Sequence, residues 1–136
     1  MGTIRQWIRA RFVALTGINP ASSTGAAAEQ LAATYLQRQG LKLLVRNYRS
    51  KAGEIDLIMK DKNDLVFVEV KYRSRHEWAD AAEMVTRSKQ RRVINAAKHY
   101  LQSQGLFDKV HCRFDVLAIN RHISEEHIEW LTHAFE

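Results

Sequence analysis

Gly53 to Arg73 read GEIDLIMKDKNDLVFVEVKYR, and this stretch decides the fold. Two runs within it, Glu54–Lys60 and Leu65–Arg73, alternate apolar and polar residues, and a short polar segment separates them. Period-two alternation is typical of strands, so the stretch predicts a β-hairpin. A turn that is symmetric about Lys62 and Asn63 fixes the register, because the two positions of every cross-strand pair then sum to the same number.

That register puts acidic residues of the two strands opposite each other. Asp56 faces Glu69, and the same face carries Glu54 opposite Lys71 and Ile58 opposite Phe67. The other face is predicted to be core and carries Ile55, Leu57, Met59, Val66, Val68, Val70 and Tyr72. Opposed carboxylates about 5 Å apart destabilise a sheet, yet they can share a divalent cation. The alternative hypothesis is that the charged face is the solvated side of an antiparallel hairpin.

Two segments outside the hairpin have the apolar spacing of amphipathic helices. The first is capped by the Ser/Thr cluster at 22–24 and runs to about Gln39, before Gly40. Its Glu29 lies among small residues, so we expect this carboxylate to approach the sheet closely. The second helix begins after Thr86 and runs to about Gln104, with Val93, Ala96, Ala97, Tyr100 and Leu101 facing the core.

Three further strands are predicted at 41–49, 111–119 and 127–135. The resulting order is helix, three strands, helix, two strands. This order predicts an α/β domain with a mixed five-stranded sheet flanked by helices. Residues 1–23 are predicted to be a basic amphipathic N-terminal extension and linker, so the domain itself spans 24–136.

Five short motifs resemble the YraN family of uncharacterised bacterial proteins. They are GEIDLI at 53–58, VFVEVK at 66–71, Gly25-x-x-x-Glu29 followed by Ala32 and Tyr35-Leu36, RNYR at 46–49, and RFDV at 113–116. That family is assigned to the restriction-endonuclease-like nucleases, close to archaeal Holliday-junction resolvases. The resemblance covers approximately residues 24–120 and implies a restriction-endonuclease-like, nuclease-like domain.

The resemblance also implies an activity, because an Asp followed by Glu-x-Lys on the next strand forms a Mg²⁺-dependent phosphodiesterase site in that superfamily. It implies that Glu29, Asp56, Glu69 and Lys71 are catalytic. Asp56, Glu69 and the backbone carbonyl of Val70 would bind Mg²⁺ or Mn²⁺. The implied reaction is hydrolysis of phosphodiester bonds in DNA, including branched or junction DNA, and the resemblance to junction resolvases suggests a homodimer. Asp115, by contrast, is interpreted as structural.

The net charge of +6 is unevenly distributed along the chain. Residues 1–52 hold eight Lys/Arg against the single acid Glu29, and Lys71–Lys98 holds eight against three acids. Such a balance suits a polyanion, and the residues expected to contact nucleic acid are Arg73, Arg75, Arg87, Lys89, Arg91 and Lys98. Two alternatives stay open: a non-catalytic nucleic-acid-binding module, and an interaction subunit of a DNA-processing complex.

The sequence also indicates a compartment. Cys112 is the only cysteine, so an internal disulfide is excluded and a reducing environment is expected. The apolar run Phe12–Ile18 follows three arginines but is too short for a membrane span or a signal peptide. The histidines show no paired zinc-ligand spacing. We therefore expect a cytoplasmic protein without zinc.

Overall fold

The computed structural model describes residues 23–73, 85–120 and 122–136. Its elements are α1 (Ser23–Arg38), β1 (Lys42–Ser50), β2 (Gly53–Asp61), β3 (Asp64–Arg73), α2 (Arg87–Ser103), β4 (Cys112–Asn120), a 3₁₀ turn (Glu125–His127) and β5 (Ile128–Phe135). The predicted order of helices and strands is confirmed. The proposed N-terminal extension, apart from Ser23, and the loop residue Arg75 lie outside the described residues.

The five strands form one sheet in the order β1-β2-β3-β4-β5. β3 and β4 are parallel, whereas the other three neighbouring pairs are antiparallel. The predicted mixed five-stranded sheet is therefore confirmed. The hairpin turn has the predicted register, since Asp61 pairs with Asp64 and Ile58 with Phe67.

Each face of the sheet is covered by one helix. On one face, α1 packs its small residues Ala28, Ala32 and Ala33 against Leu57, Val66, Val68 and Leu117. On the other face, α2 packs Val93, Ala96 and Tyr100 against Ile58 and Phe67, and the rings of Phe67, Phe114 and Phe135 stack in sequence. The charged end of the hairpin thus belongs to a face that α2 covers. The hypothesis of a solvated face is wrong for Glu69, which is buried, whereas Glu54, Asp56 and Lys71 stay partly exposed.

Strict alternation fails at one predicted core position. Ile55 was expected beside Leu57 and Met59, but it lies in the opposite cluster with Ile58 and Phe67. Its partner in β1 is Tyr48, and the residue before Tyr48, Asn47, has a left-handed φ of 48°. A residue in that conformation interrupts the alternation of a strand. Arg46 and Asn47 therefore both contact α1. The next cross-strand pair, Tyr48 and Ile55, then lies on the face that α2 covers.

Both helices end as their sequences indicate. Thr86 caps α2 by accepting a hydrogen bond from the backbone N–H of Lys89, and Gly105 follows the helix with a φ of 67°. Gly40 follows α1 with a φ of 99°, and the next residue, Leu41, donates its N–H to the carbonyl of Leu36.

Candidate functional site

The β2–β3 ladder stops short of the acidic residues. Its last backbone pair is Leu57–Val68, so the predicted cross-strand pairs Asp56–Glu69 and Glu54–Lys71 are not part of the ladder. Instead, Asp56 Oδ2 accepts a hydrogen bond of 2.8 Å from the backbone N–H of Val70. A side-chain oxygen has replaced a strand carbonyl, which opens the hairpin end and keeps Asp56 beside Glu69.

Glu69 is a nearly inaccessible carboxylate. It is only 3% exposed, and its Oε1 lies 3.6 Å from the ammonium group of Lys89. Its other oxygen, Oε2, is buried and has no hydrogen-bond partner among the described residues. Buried polar atoms are almost always paired, because an unpaired one loses its interaction with water without compensation. This oxygen is therefore a functional candidate.

Asp56 and Glu69 are paired carboxyl groups whose pKa values are both raised. Burial and the neighbouring Asp56 carboxylate raise the pKa of Glu69 to about 8. Burial also raises the pKa of Asp56, against the opposing effect of the Val70 hydrogen bond. The two carboxyl groups are close enough for one to donate a hydrogen bond to the other when one of them is protonated. Near neutral pH the pair shares a proton that a bound cation would displace.

Glu29 reaches the same region from α1. Its Oε2 accepts a hydrogen bond of 3.1 Å from Asn47 Nδ2. Burial, followed by the charge of Asp56, raises the pKa of Glu29. The expectation that small neighbours bring Glu29 up to the sheet therefore agrees with the structure.

Lys89 enters the cluster from α2, although the sequence placed it among the nucleic-acid contacts. Its Nζ lies 3.3 Å from Glu54 Oε1 and 3.6 Å from Glu69 Oε1. Burial lowers the pKa of Lys89, but Glu69 and Glu54 outweigh that effect and the net shift is upward. A helical spacing of i, i+4, i+7 and i+11 puts Lys89 in line with Val93, Ala96 and Tyr100 on the buried face. That spacing is the signal that could have identified it.

The other two charged residues of the hairpin end differ in their contacts. Glu54 pairs with Lys89 and, at 4.0 Å, with Arg49, instead of with Lys71. Lys71 lowers the pKa of Glu69 and so lies within electrostatic reach of it. Lys71 is half-buried at the end of β3, paired with Ala118 of β4.

The predicted nucleic-acid contacts separate into two groups. Arg87, Arg91 and Lys98 are exposed on α2, on the side away from the sheet. Arg73 is half-buried, and its Nε donates a hydrogen bond of 2.8 Å to Asn120 Oδ1 at the end of β4. The exposed group is available to a polyanion.

Asp115 is the second buried acid among the described residues, and its carboxylate accepts hydrogen bonds from three different residues. It accepts hydrogen bonds from Arg113 Nε at 3.2 Å, Trp130 Nε1 at 3.0 Å and the backbone N–H of His133 at 3.1 Å. Arg113 also binds Asp61 at 3.0 Å. These contacts connect β4 to β5 where the register of their pairing shifts, between Phe114 and Val116. The geometry agrees with the structural interpretation of Asp115.

The donor set fits a weakly held, hydrated cation better than a closed metal cage. Within 23–73, 85–120 and 122–136, no three His, Cys, Asp or Glu side chains converge as a metal-binding group. Asp56 and Glu69 are the convergent pair, and Asn47 holds Glu29 to one side. Mg²⁺ keeps several waters and is commonly held through one or two carboxylates. Glu69 Oε2, which has no hydrogen-bond donor within the described ranges, would supply one such ligand, so the residues present fit Mg²⁺ or Mn²⁺.

Comparison with known proteins extends over most of the chain. A UPF0102 protein of Nitrosococcus oceani is 50% identical over 111 residues, which is 82% of this chain and 90% of that relative. A UPF0102 protein of Coxiella burnetii is 47% identical over 109 residues, 80% of this chain and 88% of the relative. One from Cupriavidus taiwanensis is 50% identical over 113 residues, 82% of each chain.

The described helices are all too short or too polar to cross a membrane.

The family match itself spans residues 28–119 and so contains Glu29, the whole hairpin, α2 and all of β4 except its last residue. The motifs that resemble the YraN family fall almost entirely within this range. The chain belongs to the uncharacterised protein family UPF0102, which is the YraN family.

Proposed function

We propose that this protein is a divalent-metal-dependent endonuclease that hydrolyses phosphodiester bonds in DNA, with branched or junction DNA as the first substrates to test. The observation that supports the proposal most is the buried Asp56–Glu69 pair, in which Glu69 Oε2 has no hydrogen-bond donor among the residues that the structure describes. Buried structural carboxylates are usually paired with donors, as Asp115 is. A bound divalent cation would neutralise the charge of the pair.

Each residue of the cluster has a role in this proposal. Asp56 and Glu69, with the carbonyl of Val70, would hold the metal ion, and Glu29 would add negative charge from α1. When bound, a divalent ion polarises the scissile phosphate and makes a bound water more acidic. Lys71 orients that water or stabilises negative charge that develops on the phosphate. Lys71 does not ligate the ion, because an ammonium group has no acceptor.

The surface of α2 supports a polyanionic substrate. The helix carries five Lys/Arg and no acid, and Arg87, Arg91 and Lys98 are exposed. Carboxylates alone would repel a phosphate backbone, so basic side chains are needed to hold it, and these three would contact the backbone from the side of α2 that faces away from the sheet. Because contacts to phosphate carry no base information, we expect little sequence preference and strong salt dependence.

Cleavage assays test the activity directly. The purified protein is incubated with linear, flapped and four-way-junction DNA in Mg²⁺, in Mn²⁺ and in EDTA. We expect cleavage with either metal and none in EDTA. Lys71→Ala should abolish cleavage while leaving Mn²⁺ binding largely intact, whereas Glu69→Ala should remove both. Equal loss of Mn²⁺ binding in the two variants would contradict the assigned roles.

Binding assays separate a nuclease from a binding module. Arg87→Glu with Arg91→Glu should weaken binding to all DNA sequences about equally and reduce its salt dependence. Lys60→Glu with Lys62→Glu is the matched control, because both lysines are exposed at the distal turn of the hairpin. DNA binding that depends on Arg87 and Arg91, without cleavage under any metal condition, would favour the non-catalytic alternative.

A further inference from the structure

Lys89 is the cation that the carboxylate cluster holds in this structure. Its ammonium group lies between Glu54 Oε1 at 3.3 Å and Glu69 Oε1 at 3.6 Å. The Lys89 side chain is 21% exposed, whereas that of Glu69 is 3% exposed. One cation therefore serves two carboxylates, one half-exposed and one buried.

The position of Lys89 in α2 is unfavourable without those carboxylates. It lies in the first turn, where the helix dipole disfavours positive charge, and this turn contains no acid. It also lies on the apolar face, in line with Val93 and Ala96. Glu54 and Glu69 supply the negative charge that stabilises it there. The lysine and the two acids are therefore mutually dependent.

The backbone holds α2 at a fixed distance from β2. A Cβ atom at Gly53 would lie 2.1 Å from the carbonyl oxygen of Arg92, so only glycine permits this approach. Arg92 is three residues after Lys89, and Gly53 is next to Glu54. The contact therefore brings the Lys89 ammonium to its two acids.

We propose that Lys89 is a resident counter-ion that competes with the divalent metal ion for the oxygens of this cluster. This inference rests on the proposed function, since it concerns the same carboxylates. Without metal, Lys89 neutralises part of the charge on Glu54 and Glu69. On metal binding, the Lys89 ion pairs would weaken, because the ammonium group would be repelled by the added positive charge. Lys89 therefore lowers the affinity for the metal and prevents the acids from being uncompensated when the metal is absent.

Calorimetric titration with Mn²⁺ alone tests this exchange. Lys89→Met keeps the length of the side chain and removes its charge, so we expect the Kd for Mn²⁺ to fall about tenfold, as removal of a nearby like charge predicts. Lys89→Arg keeps the charge and should stay within about threefold of the wild type. Lys98→Met removes a charge from the exposed side of the same helix, and we expect no more than about a twofold change.

The outcomes separate the two proposals. If the wild type binds Mn²⁺ and the Kd of Lys89→Met equals or exceeds that of the wild type, the counter-ion proposal is overturned. The nuclease proposal is then unaffected. A wild type that does not bind Mn²⁺ overturns both. If Lys89→Met does not fold, NMR of the wild type gives the answer, because Mg²⁺ should shift the Lys89 ammonium resonance much more than that of Lys98. Equal responses of the two lysines also overturn the inference.

Discussion

Glu69 and Asp115 are buried acids on adjacent parallel strands, but they differ in the hydrogen-bond donors around them. Asp115 is 0% exposed, and donors from Arg113, Trp130 and His133 surround it. Glu69 is 3% exposed, and one of its oxygens has no partner among the described residues. The two carboxylates are one residue apart in register, since Glu69 pairs with Val116.

The difference separates a structural acid from a candidate functional one. Asp115 joins β4 to β5, and its charge is matched by Arg113, which also reaches Asp61 of β2. Glu69 has a neighbouring acid and a shared lysine, so its negative charge is only partly matched. A protein that keeps an unmatched buried acid gives up stability, which is common at functional sites.

The largest expected difference between the two acids is in folding stability. Asp115→Asn removes the charge that matches Arg113 and should lower the free energy of unfolding by about 3 kcal/mol. Glu69→Gln, by contrast, resembles the protonated acid and should change it by less than about 1 kcal/mol at pH 7 without metal. Urea unfolding of both variants measures this. Comparable losses in the two variants would mean that Glu69 is structural too.

The pH dependence of stability sharpens the comparison. Because Glu69 has a pKa of about 8 in the folded protein against 4.5 for the ordinary group, the folded state holds a proton that the unfolded state releases over this interval. Stability should therefore fall as pH rises from about 5 to 8, by at most about 1.4 kcal/mol per pH unit. Glu69→Gln should flatten this fall. An unchanged slope relative to the wild type, measured by unfolding in EDTA, would show that Glu69 is not the source.

Metal addition should restore part of that stability. With a dissociation constant near 1 mM, about 10 mM Mg²⁺ should stabilise the wild type by roughly 1.4 kcal/mol, a rise of a few degrees in Tm. Asp56→Asn should lose most of this rise and, without metal, should be neutral or stabilised by about 0.5–1 kcal/mol through relief of carboxylate repulsion. Asp115→Asn serves as the control that keeps the metal response. Identical Mg²⁺ responses of wild type and Asp56→Asn would exclude the metal site.

The smallest expected effect concerns Glu54, whose side chain is 42% exposed. Its ion pairs with Lys89 and Arg49 are solvent-screened, so Glu54→Gln should change stability by no more than about 0.5 kcal/mol. Thermal unfolding at low and high salt measures it. A loss as large as that of Asp115→Asn would mean that partial exposure does not weaken this contact.

Much of the fold could be predicted because each element carries its own local signals. The alternation at 53–73 and the symmetric turn gave the correct pairing of Ile58 with Phe67. The stripe from Val93 to Leu101, with Thr86 before it and Gly105 after it, gave α2 and its buried face. These signals are local, so they do not depend on how the elements pack.

The errors arose where one element acts on another. The side of Ile55 depends on the left-handed φ of Asn47 in the neighbouring strand, which alternation within β2 cannot reveal. The ladder ends at Leu57–Val68 because a side chain, Asp56, takes the N–H of Val70. Lys89 was grouped with the exposed cations by charge, although its helical position is that of the core residues. The metal ions, the DNA partner, the homodimer and the cytoplasmic location stay predictions.

The close approach at Gly53 makes the spacing between two layers adjustable by a single methyl group. Gly53→Ala would press a carbon atom against the Arg92 carbonyl, and α2 would have to move outward at its N-terminal half. The core contacts near Tyr100 and Leu101 lie two turns further along the helix and could persist. Such a variant would widen the carboxylate–ammonium gap without altering any charge, so that distance and charge could be measured as separate determinants of cation binding.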